Sequence, residues 1–453
     1  MNLHFIAIGG SIMHNLAISL RKKGFNVTGS DDQIYDPAAS KLKKYNIFPD
    51  KPGWDANRIH ENIDAVILGM HAKKDNPELL RAQELGLKIY SFPEYVYEQS
   101  KKKKRIVVGG SHGKTSITSM IMHVLTKTGK KFDYLVGSEL EGFELMVQIS
   151  DAPLIVIEGD EYLASPLLPV PKFHLYHPHI AVISGIAWDH FNVFPSYENY
   201  KAQFETFIDK IVAGGKVIFN KEEPELIEMV KKFDQKNLVI QGYSTPDYSV
   251  DDGVTTLHFN GKNYGLQIFG QYNLQNMEAA HAVCQSLDIS DDAFYTAMQS
   301  FRGAAKRMET VLNKPDLKIY RDFAHAPSKL KASVEAVKEQ YPDHNLTAVF
   351  ELHTFSSLNK GFIDQYKNCM EKADHAAVLL NPEVLEHKNL PPISDDDLRN
   401  YFNQKTLHIV HNNAELLEFL SNHKANKSVL LMMSSGTFDG LDMKKLKATV
   451  SLS

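Results

Sequence analysis

The sequence predicts an α/β protein of three successive domains: a Rossmann-like unit, a central phosphate-loop unit with a mostly parallel sheet, and a C-terminal Rossmann-like unit. Three observations predict it. Short apolar runs alternate with amphipathic stretches along most of the chain, the pattern of strands connected through helices. The 453 residues are enough for about three domains, each with its own core. In the middle of the chain, Gly109-Gly110-Ser111-His112-Gly113-Lys114-Thr115 joins an apolar strand directly to a helix.

Composition excludes several classes. At 43% hydrophobic and 23% charged, the chain reads as an ordinary globular protein. A net charge of −5 gives no electrostatic case for a nucleic-acid partner. Cys284 and Cys369 cannot build a disulfide framework and read as core residues rather than nucleophiles. No apolar run approaches the ~20 residues that span a bilayer. The start, MNLHFIAIGG, has no basic leader and enters a strand at once. The expected location is the cytoplasm, without a membrane partner.

Residues 3–8 form the first strand and run into Gly9-Gly10-Ser11, with a helical pattern through Arg21. A second strand, residues 26–28, ends in Gly29-Ser30-Asp31. A glycine turn followed about 20 residues later by an acid is the layout of a nucleotide-binding βαβ unit. Ala7 and Ile12 stand where a full fingerprint has glycine, so plain strand–helix packing is the other reading. Strands at residues 65–68 and 88–91 complete the unit. The run EQSKKKKR at residues 98–105 reads as a solvated linker, with a targeting signal the less favoured reading. It divides residues 1–102 from a central domain, 103–303.

The central domain opens with the strand 106–108 and the glycine turn. Ile117, Met120, Ile121, Val124 and Leu125 then mark one helical face. Glycines admit backbone N–H groups to phosphate oxygens, and the helix N-terminus favours negative charge. Lys114 would reach the β/γ-phosphates of ATP, and the Thr115 hydroxyl would ligate Mg²⁺. The first glycine of a strict Walker A pattern falls at Val108, but a bare glycine turn does not explain Gly-Lys-Thr. A strand at 153–157 ends in Glu158-Gly159-Asp160-Glu161, at the strand end where open α/β sheets bind ligands, and suits Mg²⁺. Another, 180–184, leads to Trp188-Asp189-His190, which reads as a metal or phosphate contact or as structural. Strands at 216–220 and 238–241 follow. Residues 255–269 then read as a hairpin turning at Asn260-Gly261, fitting an antiparallel edge of the parallel sheet. Helices at 273–287 and 291–301 close the domain.

In residues 304–453, strands at 318–323, 346–351, 376–380, 407–410 and 429–433 alternate with helices, a doubly wound pattern. The first ends in Arg321-Asp322-Phe323-Ala324-His325-Ala326-Pro327.

Gly110-Ser111-His112-Gly113-Lys114-Thr115-Ser116 resembles the G-T-H-G-K-T-T loop of the Mur ligases. Glu158-Gly159-Asp160-Glu161-Tyr162 resembles their E-A-D-E segment, and Asp189-His190 their D-H motif. GQYNLQN at 270–276 is similar to G-x-H-N-x-x-N, Lys306-Arg307-Met308-Glu309 to R-R-L/M-E, and DFAHAP at 322–327 to D-[FY]-[AG]-H-x-P. These segments follow the family's order and span most of the chain. Glu161-Tyr162, Phe323-Ala324-His325 and the stretch VTGSDDQIYDP resemble the branch that joins UDP-N-acetylmuramate to an L-alanine-led tripeptide in peptidoglycan recycling. The branch that adds L-alanine alone, in peptidoglycan precursor synthesis, is the alternative.

The resemblance implies an ATP-dependent ligase that makes an acyl phosphate on the muramyl carboxylate and gives it to an amine. It implies Lys114, Glu158 and His190 as catalytic residues, with Thr115, Glu158 and His190 around magnesium. Gly110, Ser111, His112, Gly113, Lys114, Thr115 and Ser116 would hold ATP phosphates. Asn273 and Asn276 would contact adenine, and Arg307 with Asp322 the phosphate and ribose side. Gly9, Gly10, Ser11, Ser30 and Asp31 would hold the uridine diphosphate, and His325 is a further retained site residue. The third domain is expected to close over ATP and bind the amine. Departures from the pattern are Tyr272, Ala187, Gly185, Ala326, Ala305, Lys306 and His353. Tyr272, Ala187 and Gly185 motivate a different class, a nucleotide-sugar-binding regulator without turnover; a P-loop kinase or motor fits the three-domain order less well.

Overall fold

The computed structural model describes residues 1–188, 193–234, 237–303, 307–422 and 427–451. The chain divides into two compact units, Met1–Ser244 with Asn276–Ala297, and Thr245–Gln275 with Met298–Ser453.

The first unit holds two sheets. In one, β1 (Asn2–Ile6), β2 (Asn26–Ser30), β3 (Ala65–Leu68) and β4 (Ile89–Ser91) run parallel in the order β2-β1-β3-β4. Parallel neighbours need crossovers, and the helix Ser11–Lys22 supplies the first. Continuous burial along Leu3, Phe5 and Ile6 and along all of β3 marks a sheet covered on both faces.

The other sheet contains β5 (Lys104–Gly109), β6 (Asp133–Leu135), β7 (Val147–Gln148), β8 (Leu154–Glu158), β9 (Ile180–Ile183), β10 (Lys216–Asn220) and β11 (Val239–Tyr243). Their order is β11-β10-β9-β5-β8-β6-β7, parallel apart from the β6–β7 pair. β5 lies between β8 and β9, with Val108 beside Glu158 and Gly109 beside Ile183. The glycine turn therefore sits between the ends of both neighbours.

The basic run is not a solvated linker throughout. Glu98 to Ser100 end the helix Phe92–Ser100, and Lys104 already starts β5. The buried Lys103 ammonium sits 2.6 Å from Asp133 and donates to the Ser150 and Ala152 carbonyls at 2.7 and 2.9 Å. Arg105, also buried, donates to the carbonyls of Ser100 and His177. Charge density at the strand's start predicts solvation; these two heads are satisfied internally instead.

In the second unit, β12 (Tyr248–Asp251), β13 (Val254–Phe259) and β14 (Lys262–Leu266) form an antiparallel sheet, turning at Asn260 and Gly261 with φ of 47° and 74°. The turn falls where Asn-Gly placed it, since that dipeptide tolerates two left-handed residues. The strands form a sheet of their own rather than an edge of the parallel one.

The larger sheet has β15 (Glu309–Asn313), β16 (Leu317–Asp322), β17 (Asn345–Glu351), β18 (His375–Leu379), β19 (His408–Val410) and β20 (Ser428–Met433) in the order β15-β16-β20-β17-β18-β19. All pairs are parallel except β15–β16. β20, last in sequence, inserts between β16 and β17, so the chain's last crossover runs back across the sheet, and ligands of open α/β sheets bind at the carboxyl ends beside such a reversal. One core contains Tyr320, Val334 and Phe350; the other contains Ile319, Val349 and Met432. Each unit carries one cysteine, Cys284 and Cys369, both free and buried. Burial raises both thiol pKa values, that of Cys369 to about 11.

Candidate active site

At the end of β5 the chain turns through Gly110 and Gly113, both with positive φ, and enters the helix Lys114–Lys127. Gly113 caps this helix in the left-handed region at φ 75°, and a Cβ there would collide with the Asn276 amide oxygen. Asn276 therefore lies directly against the glycine turn. A Cβ on Gly110 would run into Ser184 at the end of β9. Glycine is required here for space as well as for torsion.

Beneath the turn, Ser111 N–H donates to the Gly185 carbonyl at 2.9 Å, and the Ser184 hydroxyl donates to the His112 carbonyl. His112 Nε2 lies 3.3 Å from Glu223. Gly185 has a physical reason, because a Cβ would meet both His112 and Glu223.

The Lys114 ammonium donates to the Gly110 carbonyl at 2.6 Å and lies 2.8 Å from the buried Glu161 carboxylate. Burial alone would lower its pKa, but Glu161, with Asp160 and Glu158, outweighs that and raises it. Lys172 and Lys114 hold the Asp160 carboxyl below its usual range against the opposing effect of burial. The site thus keeps a permanent cation at the N-terminus of a helix, where phosphate is favoured.

Thr115 Oγ1 donates to Glu158 Oε1 at 2.8 Å, and Glu158 Oε2 accepts from Gly137 N–H at 2.8 Å. A hydroxyl and a carboxylate side by side are hard oxygen donors, the set that suits Mg²⁺. His190, with Asp189, lies outside the described residues. Ser116 is buried in the first turn of the helix.

The amino-terminal candidates assemble in part. Gly9 N–H donates to Asp31 Oδ2 at 2.7 Å, and a Cβ on Gly9 would meet that oxygen at 2.9 Å. Burial pushes the Asp31 carboxyl up to about 6, with neighbouring Asp32 adding to the rise. The Gly10 carbonyl lies 2.9 Å from His14 Nδ1, and the Ser11 hydroxyl is 3.4 Å from Met146 Sδ. Ser30 is directed elsewhere: its hydroxyl donates to Glu78, a buried carboxylate that also lies 3.3 Å from His4.

In the second unit, Asp322 accepts from Met308 N–H at 3.1 Å and from the Ser333 hydroxyl. Met308 has a φ of 47°, so this bond fixes the backbone next to Arg307. The Arg307 guanidinium lies over the Phe323 ring, 4.5 Å from its centroid. His325 Nδ1 lies 3.0 Å from the Phe323 carbonyl. Asn273 donates to the Phe269 carbonyl at 2.9 Å, four residues back. Tyr272 packs against the core that contains Tyr320, and burial, with Asp322 nearby, raises its phenol pKa.

Sequence reasoning gave Ser184 and Glu223 no role and placed Glu161 among acids suited to Mg²⁺, whereas its carboxylate pairs with Lys114. Glu161 stood inside a quoted motif, so position was a usable signal. Ser184 and Glu223 reach the turn only through the β9–β5 and β10–β9 pairings, which no local pattern encodes.

Three family models match successive parts of the chain: Mur ligase family, catalytic domain, at residues 2–104; Mur ligase middle domain at 108–284; and Mur ligase, glutamate ligase domain, at 306–436. A UDP-N-acetylmuramate–L-alanine ligase from Caldicellulosiruptor bescii is 31% identical over 406 residues, covering 87% of this chain and 86% of its own. Among solved structures, the UDP-N-acetylmuramate-alanine ligase of Thermotoga maritima superposes with a TM-score of 0.70 at 21% identity, covering all of this chain and 98% of its own. A murein peptide ligase from Psychrobacter arcticus gives 0.66 at 22%, covering all of this chain and 99% of its own. These two likenesses are of fold. No helix among the described residues is long and apolar enough to cross a membrane.

Proposed function

The chain belongs to the Mur ligase family, ATP-dependent enzymes that form carbon–nitrogen bonds, and from that premise we propose that it joins UDP-N-acetylmuramate to an L-alanyl amine. The observation that carries the reading is the convergence of Lys114, Thr115 and Glu158 at the ends of two adjacent strands. Lys114 and the backbone N–H groups of residues 110–116 would bind the phosphates. Thr115 and Glu158 would hold Mg²⁺, which supplies charge neutralisation on the phosphates when bound. His190 would join them by family likeness. Asn276, against Gly113, would set the adenine side together with Asn273, while Arg307 and Asp322 serve the phosphate and ribose side. Gly9, Gly10, Ser11 and Asp31 would take the uridine diphosphate, with Ser30 acting through Glu78. We assign residues 1–102 to the nucleotide sugar, 103–303 to ATP and 304–453 to the amine.

A carboxylate has no adequate leaving group at neutral pH. Phosphoryl transfer from ATP to the muramyl oxygen replaces it with phosphate, and the amine then expels that phosphate as the amide forms. The protein's share is positioning and charge stabilisation. Lys114, held charged by Glu161, would stabilise negative charge shared between the β- and γ-phosphates.

For the amine, the name of the Caldicellulosiruptor bescii relative favours free L-alanine over the tripeptide that the motifs favour. The tripeptide is kept as the second reading on Glu161-Tyr162 and Phe323-Ala324-His325. ADP release with ATP, Mg²⁺ and UDP-N-acetylmuramate, offered L-alanine or the tripeptide in parallel, distinguishes them. Lys114→Ala should lower turnover at least ~100-fold, as loss of a preorganised charge contact does. A variant turning over at the wild-type rate would remove Lys114 from the mechanism. Tight binding of the nucleotide sugar without any turnover would favour the regulator.

A further inference from the structure

The second unit carries a cation that the mechanism above leaves unused. Arg321 is the penultimate residue of β16, and alternation along the strand separates it from its neighbours. Tyr320 joins one core and Ile319 the other, so Arg321 lies on the Ile319 face and Asp322 on the Tyr320 face. Arg321 reaches the loop after β20, where its Nη2 donates to the Gly436 carbonyl at 3.3 Å. Its Nε is buried and has no hydrogen-bond partner among the described residues; Glu309 stands opposite it in the β15–β16 register, without an ion pair to it. A guanidinium has five N–H donors and cannot discharge by losing a proton, so it calls for an anion.

The acid that holds this loop is already satisfied. Glu351, at the end of β17, accepts from the Ser434 hydroxyl, from Phe438 N–H at 2.9 Å and from Asp439 N–H at 2.8 Å. These bonds keep Phe438, Asp439 and Gly440 in successive left-handed conformations, with φ of 52°, 53° and 73°, a cost for the two non-glycine residues. A Cβ on Gly436 would meet Glu351 Oε2 at 2.8 Å and His353 Nε2 at 3.1 Å, so the loop passes closely over both. His353 Nε2 lies 3.4 Å from the Ser435 hydroxyl, and its Nδ1 is buried without a hydrogen-bond partner. Residues 434–440 thus have a guanidinium with a buried, unbonded Nε on one flank and an imidazole with a buried, unbonded Nδ1 on the other, at the carboxyl ends of the strands.

We infer that Arg321, with His353 across the loop, determines specificity by taking a carboxylate of the amine substrate. The planar fork of arginine matches a carboxylate in two parallel hydrogen bonds, which a lysine cannot reproduce. The assignment rests on the reading that the substrate is an L-alanyl amine, which carries both an amine and a carboxylate.

The test compares the wild type, Arg321→Gln and Arg321→Lys with the preferred amine substrate and with the same molecule converted to its carboxamide. KM for ATP and for UDP-N-acetylmuramate, and the melting temperature, are measured alongside. Arg321→Gln should raise KM for the amine about 10- to 100-fold, the worth of a charge-assisted hydrogen bond, leaving the other two KM values within about twofold. The preference of the wild type for the carboxylate over the carboxamide should collapse in this variant. Arg321→Lys keeps charge and stem and should show an intermediate KM, which serves as the readout where Gln lowers the melting temperature. An unchanged preference in both variants overturns the assignment while leaving the functional reading intact. Absence of wild-type turnover with any amine overturns both.

Discussion

Single residues set the chemistry here through what they exclude as much as through what they hold. Gly113 leaves room for Asn276, Gly185 for His112 and Glu223, and Gly9 for Asp31. The last pairing makes a pH prediction. Burial pushes the folded Asp31 carboxyl up to about 6, against about 4 in an unfolded chain. The fold therefore favours the neutral form, and this stabilising contribution is complete below about pH 4 and lost as pH rises through about 6. Asp31→Asn should remove the dependence, gaining about 1 kcal/mol on the wild type between pH 4 and 7 once solvent screening is allowed for. Melting curves across that range check it, and a stability difference that does not vary with pH counts against the assignment. Placement that follows from local chain chemistry was legible in the sequence: Lys114, Thr115 and Glu158 stand at or just after the ends of β5 and β8. The partner of Ser30 was not, because its hydroxyl donates to Glu78, which lies 48 residues away in sequence.

Among elements, the apolar runs located the parallel strands well, since burial on both faces leaves an uninterrupted signal. The short β6 and β7 left none, being three and two residues long. The lysine run shows the opposite failure, in which a strong local signal was overridden by tertiary partners. Lys103 reaches Asp133 on β6 and the carbonyls of Ser150 and Ala152, tying the start of β5 to the far side of β8. Lys103→Met should destabilise the protein by about 3–5 kcal/mol, because it leaves Asp133 buried without its counter-charge. Denaturant titration measures this; a loss below about 1 kcal/mol would show that Ser150, which donates to Asp133 through both its N–H and its hydroxyl, suffices alone. The hairpin was legible in its turn and not in its partner: Asn-Gly fixes a reversal, whereas the sheet joined by the strands depends on contacts distant in sequence.

At the scale of the whole molecule, the two units each have core clusters of their own. Calorimetry should accordingly resolve two unfolding transitions. A non-hydrolysable ATP analogue at a hundredfold its Kd should stabilise the unit with the phosphate loop by about 2.7 kcal/mol. A single transition, unmoved by the analogue, would contradict both the independence of the units and the nucleotide site. Three-domain order was legible from the alternation of strands and helices. How residues 245–275 and 276–297 are shared between the units was not, because nothing in a continuous run of strands and helices marks which core each will join.

The distribution of sulfur has a use at the bench. Cys284 and Cys369 are shielded and electronically quiet in the native protein, and each belongs to a different unit. An alkylating reagent will therefore mark a sulfur only while the surrounding unit is open, since the thiolate is the reactive species. Mass spectrometry of the two tryptic fragments then reads two clocks from one reaction tube, with no engineered label.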